Sequence, residues 1–284
     1  MKNFKKLALM GLTAVMSLSL LAACGGGNSG SAETPSGNTE TPAASGEFTT
    51  VEAGKLIMST NAQFPPYEMV GDGEGYEGTC YEGIDVEIAY AIAEKLGLEL
   101  VVDNMGFDAA LQAVQTGKSD IVMAGVTVTD DRLEVMDFSD TYANGIQVVI
   151  VPENSDIATI DDLEGKLIGC QMGTTGYIYC SDTPENGGYG EDAVIPYDDG
   201  AAAVQALMNG QVDCVVIDNA PAQEYVKANP GLKILDTEFA NENYAIGFAK
   251  GNTALKDAVN AALIELVEDG TVQSIIDKYI PADG

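Results

Sequence analysis

Two stretches of this chain repeat one another. Gln112 to Asp120 reads QAVQTGKSD, and Gln205 to Asp213 reads QALMNGQVD. Each runs from a helix-like segment through a glycine to an aspartate. An apolar run follows, Ile121-Val122-Met123-Ala124 in the first and Cys214-Val215-Val216-Ile217 in the second. Gln112, Gly117 and Asp120 recur as Gln205, Gly210 and Asp213 at one common offset. A joint used twice predicts two lobes of related topology. Around it, short β-like runs alternate with helical ones: a strand from Lys55 to Thr60, a helix from Asp85 to Leu96 closed by Gly97, and a strand from Leu98 to Val102. A helix from Ala109 to Gln115 closed by Gly117 then leads to a strand from Ile121 to Ala124. Such alternation places the fold in the α/β class.

The amino-terminal end points to export. Lys2, Lys5 and Lys6 precede an uncharged apolar run from Leu7 to Ala23, the pattern of a signal peptide. Gly11, Thr13, Ser17 and Ser19 interrupt it, whereas a spanning helix wants about 20 apolar residues. The run ends Leu21-Ala22-Ala23-Cys24-Gly25. This resembles a bacterial lipobox, in which small residues admit a peptidase and the cysteine thiol receives a diacylglycerol. The expectation is therefore a lipoprotein signal peptide over residues 1–23 and lipidation of Cys24. The mature protein would be extracytoplasmic, anchored to the outer face of the cytoplasmic membrane. Residues 24–49, rich in Gly, Ser, Thr, Pro, Asn and Glu, cannot bury enough apolar surface to fold and read as a flexible tether.

Composition removes several functions. With 13 Lys and Arg against 44 Asp and Glu, the net charge is −31, and no basic patch could neutralise the phosphates of a nucleic acid. There is no histidine, which removes His-based triads and the commonest metal ligand. No cofactor and no metal are expected.

A series of short motifs then appears in order between Lys55 and Ile280: NAQFPPYE from Asn61, GIDVE from Gly83, Leu111 to Asp120, Ala124 to Arg132, DFSDTY from Asp137, GTT from Gly173, Gly210 to Asp218, and DGT from Asp269. Together they resemble the periplasmic binding proteins that serve polar amino acid importers. The resemblance implies the two-lobed type II fold, two α/β lobes joined by two crossing hinge strands with the ligand clamped between them. Lobe 1 would comprise residues 50–143 plus 246–284, and lobe 2 residues 148–241. The hinge would lie near 144–147 and 242–245. The function implied is capture of a free amino acid by an expected monomer and its delivery to the permease of an ABC importer.

A free amino acid carries a carboxylate and an ammonium, so its site needs a fixed cation, a fixed anion and convergent backbone dipoles. Thr127-Val128-Thr129-Asp130-Asp131-Arg132 reads as a strand end followed by a helix start, with Thr129 as N-cap. Arg132 then falls in the first turn, where the helix dipole disfavours a cation unless an anion intervenes. The resemblance makes that anion the ligand carboxylate, held bidentately. Asp218, at the carboxyl end of the run Cys214 to Ile217, stands where open α/β sheets place their ligands and would hold the ammonium. Gly125 would add a carbonyl, Thr127 a hydroxyl and N–H, and Thr175 a second carboxylate donor from the Gly173-Thr174-Thr175-Gly176 turn. The resemblance also sets Phe64 and Phe107 as rings against the ligand side chain.

The side chain would meet Asn61, Phe64, Phe107, Ala124, Gln171, Met172 and Gly176, none of them charged. A polar uncharged amino acid is therefore favoured, with a basic one as the exception if its cation stacks between the rings. Two alternatives share the fold. A dehydratase-like cleft enzyme would need a buried glutamate as general acid, and the nearest, Glu68 and Glu87, read as exposed. A ligand-sensing receptor module would continue into a membrane helix after Lys278-Tyr279-Ile280, whereas the chain ends at Gly284. Among Cys80, Cys170, Cys180 and Cys214, a bridge from Cys170 to Cys180 is the expected pairing.

Overall fold

The computed structural model describes residues 48–281. The expected signal peptide, Cys24 and nearly all of the expected tether lie outside these residues.

Strand β1 (Lys55–Thr60), buried in every residue after Lys55, leads to a small ribbon of β2 (Gln63–Phe64), β3 (Glu68–Val70) and β4 (Tyr81–Glu82). Helix α1 (Ile84–Leu96) turns Ile84, Ile88 and Ile92 inward at helical spacing. Gly97 ends it at φ 70° with its N–H returned to Ala93 and Glu94 carbonyls, a left-handed cap that glycine adopts at little cost. β5 (Glu99–Asn104), α2 (Phe107–Gln115), β6 (Ile121–Val122) and α3 (Asp130–Val135) follow, and then the long β7 (Met136–Pro152). The second half holds β8 (Ile168–Gln171), α4 (Thr175–Ser181), β9 (Val194–Tyr197), α5 (Gly200–Met208), β10 (Cys214–Asp218), α6 (Asn219–Ala228) and β11 (Leu232–Ile234). β12 (Ala240–Ala249) returns to the first half, which α7 (Thr253–Glu268) and α8 (Thr271–Tyr279) complete.

The strands of the main sheet run in the order β5-β1-β6-β12-β7-β10-β8-β9. The order is symmetric about its middle. β1 lies parallel between β5 and β6 in one lobe, and β8 lies parallel between β9 and β10 in the other. The repeated joints therefore enter matching strands, β6 and β10. β12 and β7 cross between the lobes as an antiparallel pair, from Ala249 opposite Met136 to Ala240 opposite Gln147. The register shifts between Tyr244 and Ala245 and again before Gly247, irregularities that sharpen local twist.

Both faces of the central strands are covered. In β7, Val148 and Ile150 join one core and Val149 and Val151 another; in β10, Val215 and Ile217 part from Cys214 and Val216 in the same way. Alternation with period two sends neighbours to opposite faces, and burial on both sides explains why these strands read as unbroken apolar runs.

Cys80, Cys170, Cys180 and Cys214 are all free thiols, so the expected Cys170–Cys180 bridge is absent. Cys170, Cys180 and Cys214 instead fill the second core together, as small apolar side chains do.

Candidate functional site

The carboxyl ends of the parallel strands in the two lobes face each other across a narrow cleft lined from both sides. Arg132 enters it from lobe 1. The Thr129 hydroxyl accepts the Arg132 backbone N–H at 3.2 Å, which starts α3 and aims the side chain inward. The guanidinium is buried over the Phe107 ring, 5.5 Å from its centre. Nη1 donates to the Thr127 carbonyl at 2.8 Å, and Nη2 donates across the cleft to the Gly173 carbonyl at 3.3 Å. A guanidinium has five N–H groups, so others remain for an anion. Burial lowers its pKa, and Glu242 opposes that shift.

Asp218 faces it from lobe 2. It ends β10 and precedes α6, yet its side chain makes no cap bond. Gln147 Nε2 donates to its Oδ2 at 2.8 Å, while Oδ1 has no partner among the described residues. The same Gln147 amide donates to Glu242 Oε2 at 3.1 Å, which also accepts the Thr127 hydroxyl at 2.9 Å. Burial, reinforced by Glu242, pushes Asp218 well above the usual carboxylate range. Gln147 and Glu242 lie on the crossing strands and were not singled out from the sequence. Gln147 carries a signal, a polar residue between Ile146 and the apolar run from Val148, whereas Glu242 sits between Asn241 and Asn243 and carries none.

Two more buried carboxyls lie at the cleft, Glu68 in its lining and Asp85 behind Gly125. Asp85 accepts the Gly125 N–H at 2.9 Å and the Tyr142 hydroxyl at 2.7 Å. Burial raises it to about 6 despite those bonds. Glu68 corrects an expectation, for it is fully buried and lines the cleft, with neither oxygen meeting a donor among the described residues. Its place in β3, opposite Phe64 in β2, folds it under the ribbon. Burial first, and Asp85 next, hold it well above the usual range. Glu87 is also buried, but away from the cleft, paired with Lys278 and the Tyr279 hydroxyl.

At the other end, Gln171 Nε2 donates to Asn61 Oδ1 across the cleft at 2.9 Å and to the Asp198 carbonyl at 3.2 Å, while Asn61 Nδ2 donates to the Met105 carbonyl. Phe64 lies over Gly125, where a Cβ would stand 2.8 Å from the ring. Only glycine lets the ring approach so closely. Ala124 and Thr175 line the same space. Thr174 caps α4 by accepting the Tyr177 N–H, so the N–H groups of Thr175 and Gly176 lie in the unpaired first turn. Met172 departs from expectation. It is 47% exposed and borders a separate outer groove, because the residue after an inward Gln171 turns outward. Of the residues expected at the site, the structure brings Asn61, Phe64, Phe107, Ala124, Gly125, Thr127, Arg132, Gln171, Thr175 and Asp218 together around one cleft.

The profile of the bacterial extracellular solute-binding proteins, family 3, matches residues 56–282. A probable histidine-binding protein of Neisseria gonorrhoeae is 33% identical over 80% of this chain and 83% of its own length. The arginine-binding extracellular protein ArtP of Bacillus subtilis is 31% identical over 93% of both. Among solved structures, an ancestral arginine-binding protein bound to glutamine superposes with a TM-score of 0.72 at 38% identity, covering 81% of this chain and 99% of that one. The two-lobed architecture is that of the type II periplasmic binding proteins.

Proposed function

This chain belongs to family 3 of the bacterial extracellular solute-binding proteins, and on that premise we propose that it captures a free amino acid in its cleft and delivers it to an ABC importer. The observation that carries the reading is the opposition of Arg132 and Asp218. A buried guanidinium held by two carbonyls faces, from the other lobe, a buried carboxylate with one oxygen unpartnered among the described residues. An α-amino acid matches that pair. Its carboxylate takes the guanidinium fork and the N–H groups at the start of α4, and its ammonium takes Asp218 and the Gly125 carbonyl.

Because the two charges come from different lobes, the ligand favours the closed form by its contacts to both. Residues 50–143 with 246–284 and residues 148–241 move as the two bodies. The crossing strands bend near 144–147 and 242–245, where Glu242, Asn243 and Tyr244 pair with Gly145, Asn144 and Ala143. The closed form then docks on the permease. Calorimetry of the chain from Cys24 onward against the standard amino acids is expected to give micromolar or tighter binding for at least one. Binding by none would overturn the reading.

The leader supports attachment by a lipid on Cys24, at the outer face of the cytoplasmic membrane. Cys24→Ser is expected to release the protein from washed membranes with its ligand affinity unchanged. The role is non-catalytic. Glu68 is the buried glutamate that a dehydratase-like cleft would require, held protonated by burial and by Asp85, so this alternative is decided by assay. Incubation with cyclic dienyl acids is expected to yield no product.

A further inference from the structure

We propose that Asp85, which lies behind the cleft wall rather than in it, is the positioning residue of the ammonium site, holding Gly125 so that its carbonyl faces the ligand. The proposal rests on the reading of the cleft as an amino acid site and names a residue on which that site depends. Asp85 stands in the first turn of α1, where an acid would ordinarily serve the unpaired N–H groups of its own helix. It does not. Its Oδ2 accepts the Gly125 N–H at 2.9 Å and its Oδ1 the Tyr142 hydroxyl at 2.7 Å. Both bonds are spent away from α1, on the cleft wall and on the crossing strand β7.

A third donor converges on the same carboxyl. Glu68, held protonated by burial and by Asp85, gives its O–H to Asp85. Of this pair of acids, Glu68 keeps the proton and Asp85 carries the charge. An ionised carboxyl has two oxygens and room for all three donors. They come from three elements: the turn after β6, the strand β7 and the small ribbon at β3. Asp85 therefore pins the turn that carries Gly125 to the ribbon on one side and to a crossing strand on the other.

Gly125 is the residue that needs such a hold. It has φ +54°, a left-handed conformation open to glycine at little cost but not fixed by it. It lines the cleft, and its carbonyl accepts from no donor among the described residues. A backbone carbonyl without a partner at a cleft wall is an acceptor in want of a donor, which an ammonium supplies. Peptide planarity leaves only two rotations between the N–H that Asp85 holds and that carbonyl. Fixing the N–H, with the Phe64 ring closed over the same residue, sets the direction of the carbonyl before a ligand arrives. Asp218 then supplies charge from one lobe, and Asp85, through Gly125, supplies an oriented dipole from the other. Orientation paid for in the fold is not charged to binding.

The test is calorimetry with each standard amino acid on the intact chain, on Asp85→Asn and on Asp120→Ala. An asparagine presents one oxygen where three donors converge, so the tightest-bound amino acid is expected to lose about tenfold or more in affinity in Asp85→Asn. Asp120→Ala removes an acid that also accepts two backbone N–H groups, but outside the cleft lining, and is expected to change that affinity by less than about twofold. Thermal melts establish that each variant is folded where it is measured. The positioning role has its own signature in the Gly125 carbonyl carbon, whose resonance is expected to move downfield when the amino acid binds the native protein and to move less in Asp85→Asn. Should Asp85→Asn not fold, Tyr142→Phe is the second variant, with an expected loss of about threefold for the one donor removed. Affinity unchanged in the folded variant, an equal loss in Asp120→Ala, or a Gly125 resonance that moves alike in native protein and variant overturns the proposal while leaving the amino acid reading intact. Absence of binding by every amino acid tested would instead overturn that underlying reading, and the proposal with it.

Discussion

Asp120 and Asp218 occupy comparable places, each a buried aspartate at an end of a core strand, but they are treated in opposite ways. Asp120 accepts the Val51 and Ile57 backbone N–H groups at 2.7 and 2.8 Å, one on each oxygen. Its counterpart in the other lobe, Asp213, accepts the Leu167 N–H at 2.8 Å. These acids tie the repeated joint to the strand beside it. Asp218 holds one amide donor and, among the described residues, has no partner for its other oxygen, next to Glu242, with Glu68 and Asp85 nearby. A buried acid that is fully bonded belongs to the scaffold. A buried acid left short of donors, facing other acids, is held in readiness for a cation, because the fold alone gains nothing from leaving it unsatisfied.

The comparison breaks most sharply at the cleft. Arg132→Ala or Asp218→Ala should each abolish ligand binding while the protein stays folded, since each leaves a ligand charge unpaired in a desolvated site at a cost of about 3–5 kcal/mol. Micromolar affinity retained by either variant would dissolve the distinction.

The next effect is on pH. Asp85 is raised from 3.8 to about 6, so between those values the folded chain binds more protons than the unfolded one. Stability of the unliganded protein should therefore fall as pH rises from about 4 to about 6, by on the order of 3 kcal/mol. Asp85→Asn should flatten that part of a denaturant-midpoint profile. Ligand affinity should run the other way. The ammonium requires ionised Asp218, so each pH unit below its raised pKa should weaken binding by up to about tenfold. Parallel slopes for stability and affinity would contradict this account.

On the scaffold side, Asp120→Ala should cost about 2–3 kcal/mol of stability, because two backbone donors, at least one of them buried, lose a charged acceptor. Its amino acid affinity should match the native protein. Gly173→Ala tests the closed cleft. Gly173 has φ +77° and a Cβ there would stand 1.7 Å from Asp108 Oδ1, on the opposite lobe. Strain of about 1–3 kcal/mol should weaken ligand affinity and reduce the compaction seen by small-angle scattering on adding ligand. The smallest effect belongs to Asp213→Ala, which removes one acceptor at an exposed position and should cost under about 1.5 kcal/mol.

Local pattern alone determined the α/β class, the paired lobes, the left-handed stop at Gly97, and the Thr129 cap that aims Arg132. Each depends on residues a few positions apart, where helix period, strand alternation and capping act directly. The placement of Asp218 was legible for the same reason, as the last residue of an apolar run. Tertiary structure alone decided the rest. Glu68 is buried because a short ribbon folds over it. Gln147 and Glu242 meet because two distant strands cross, and Met172 turns outward because Gln171 turns in. Cys170 and Cys180 share a core without bonding. Whether such groups are wet or dry, bonded or unbonded, depends on what the rest of the chain brings against them, and burial is a property of the assembled fold that no local stretch of residues carries.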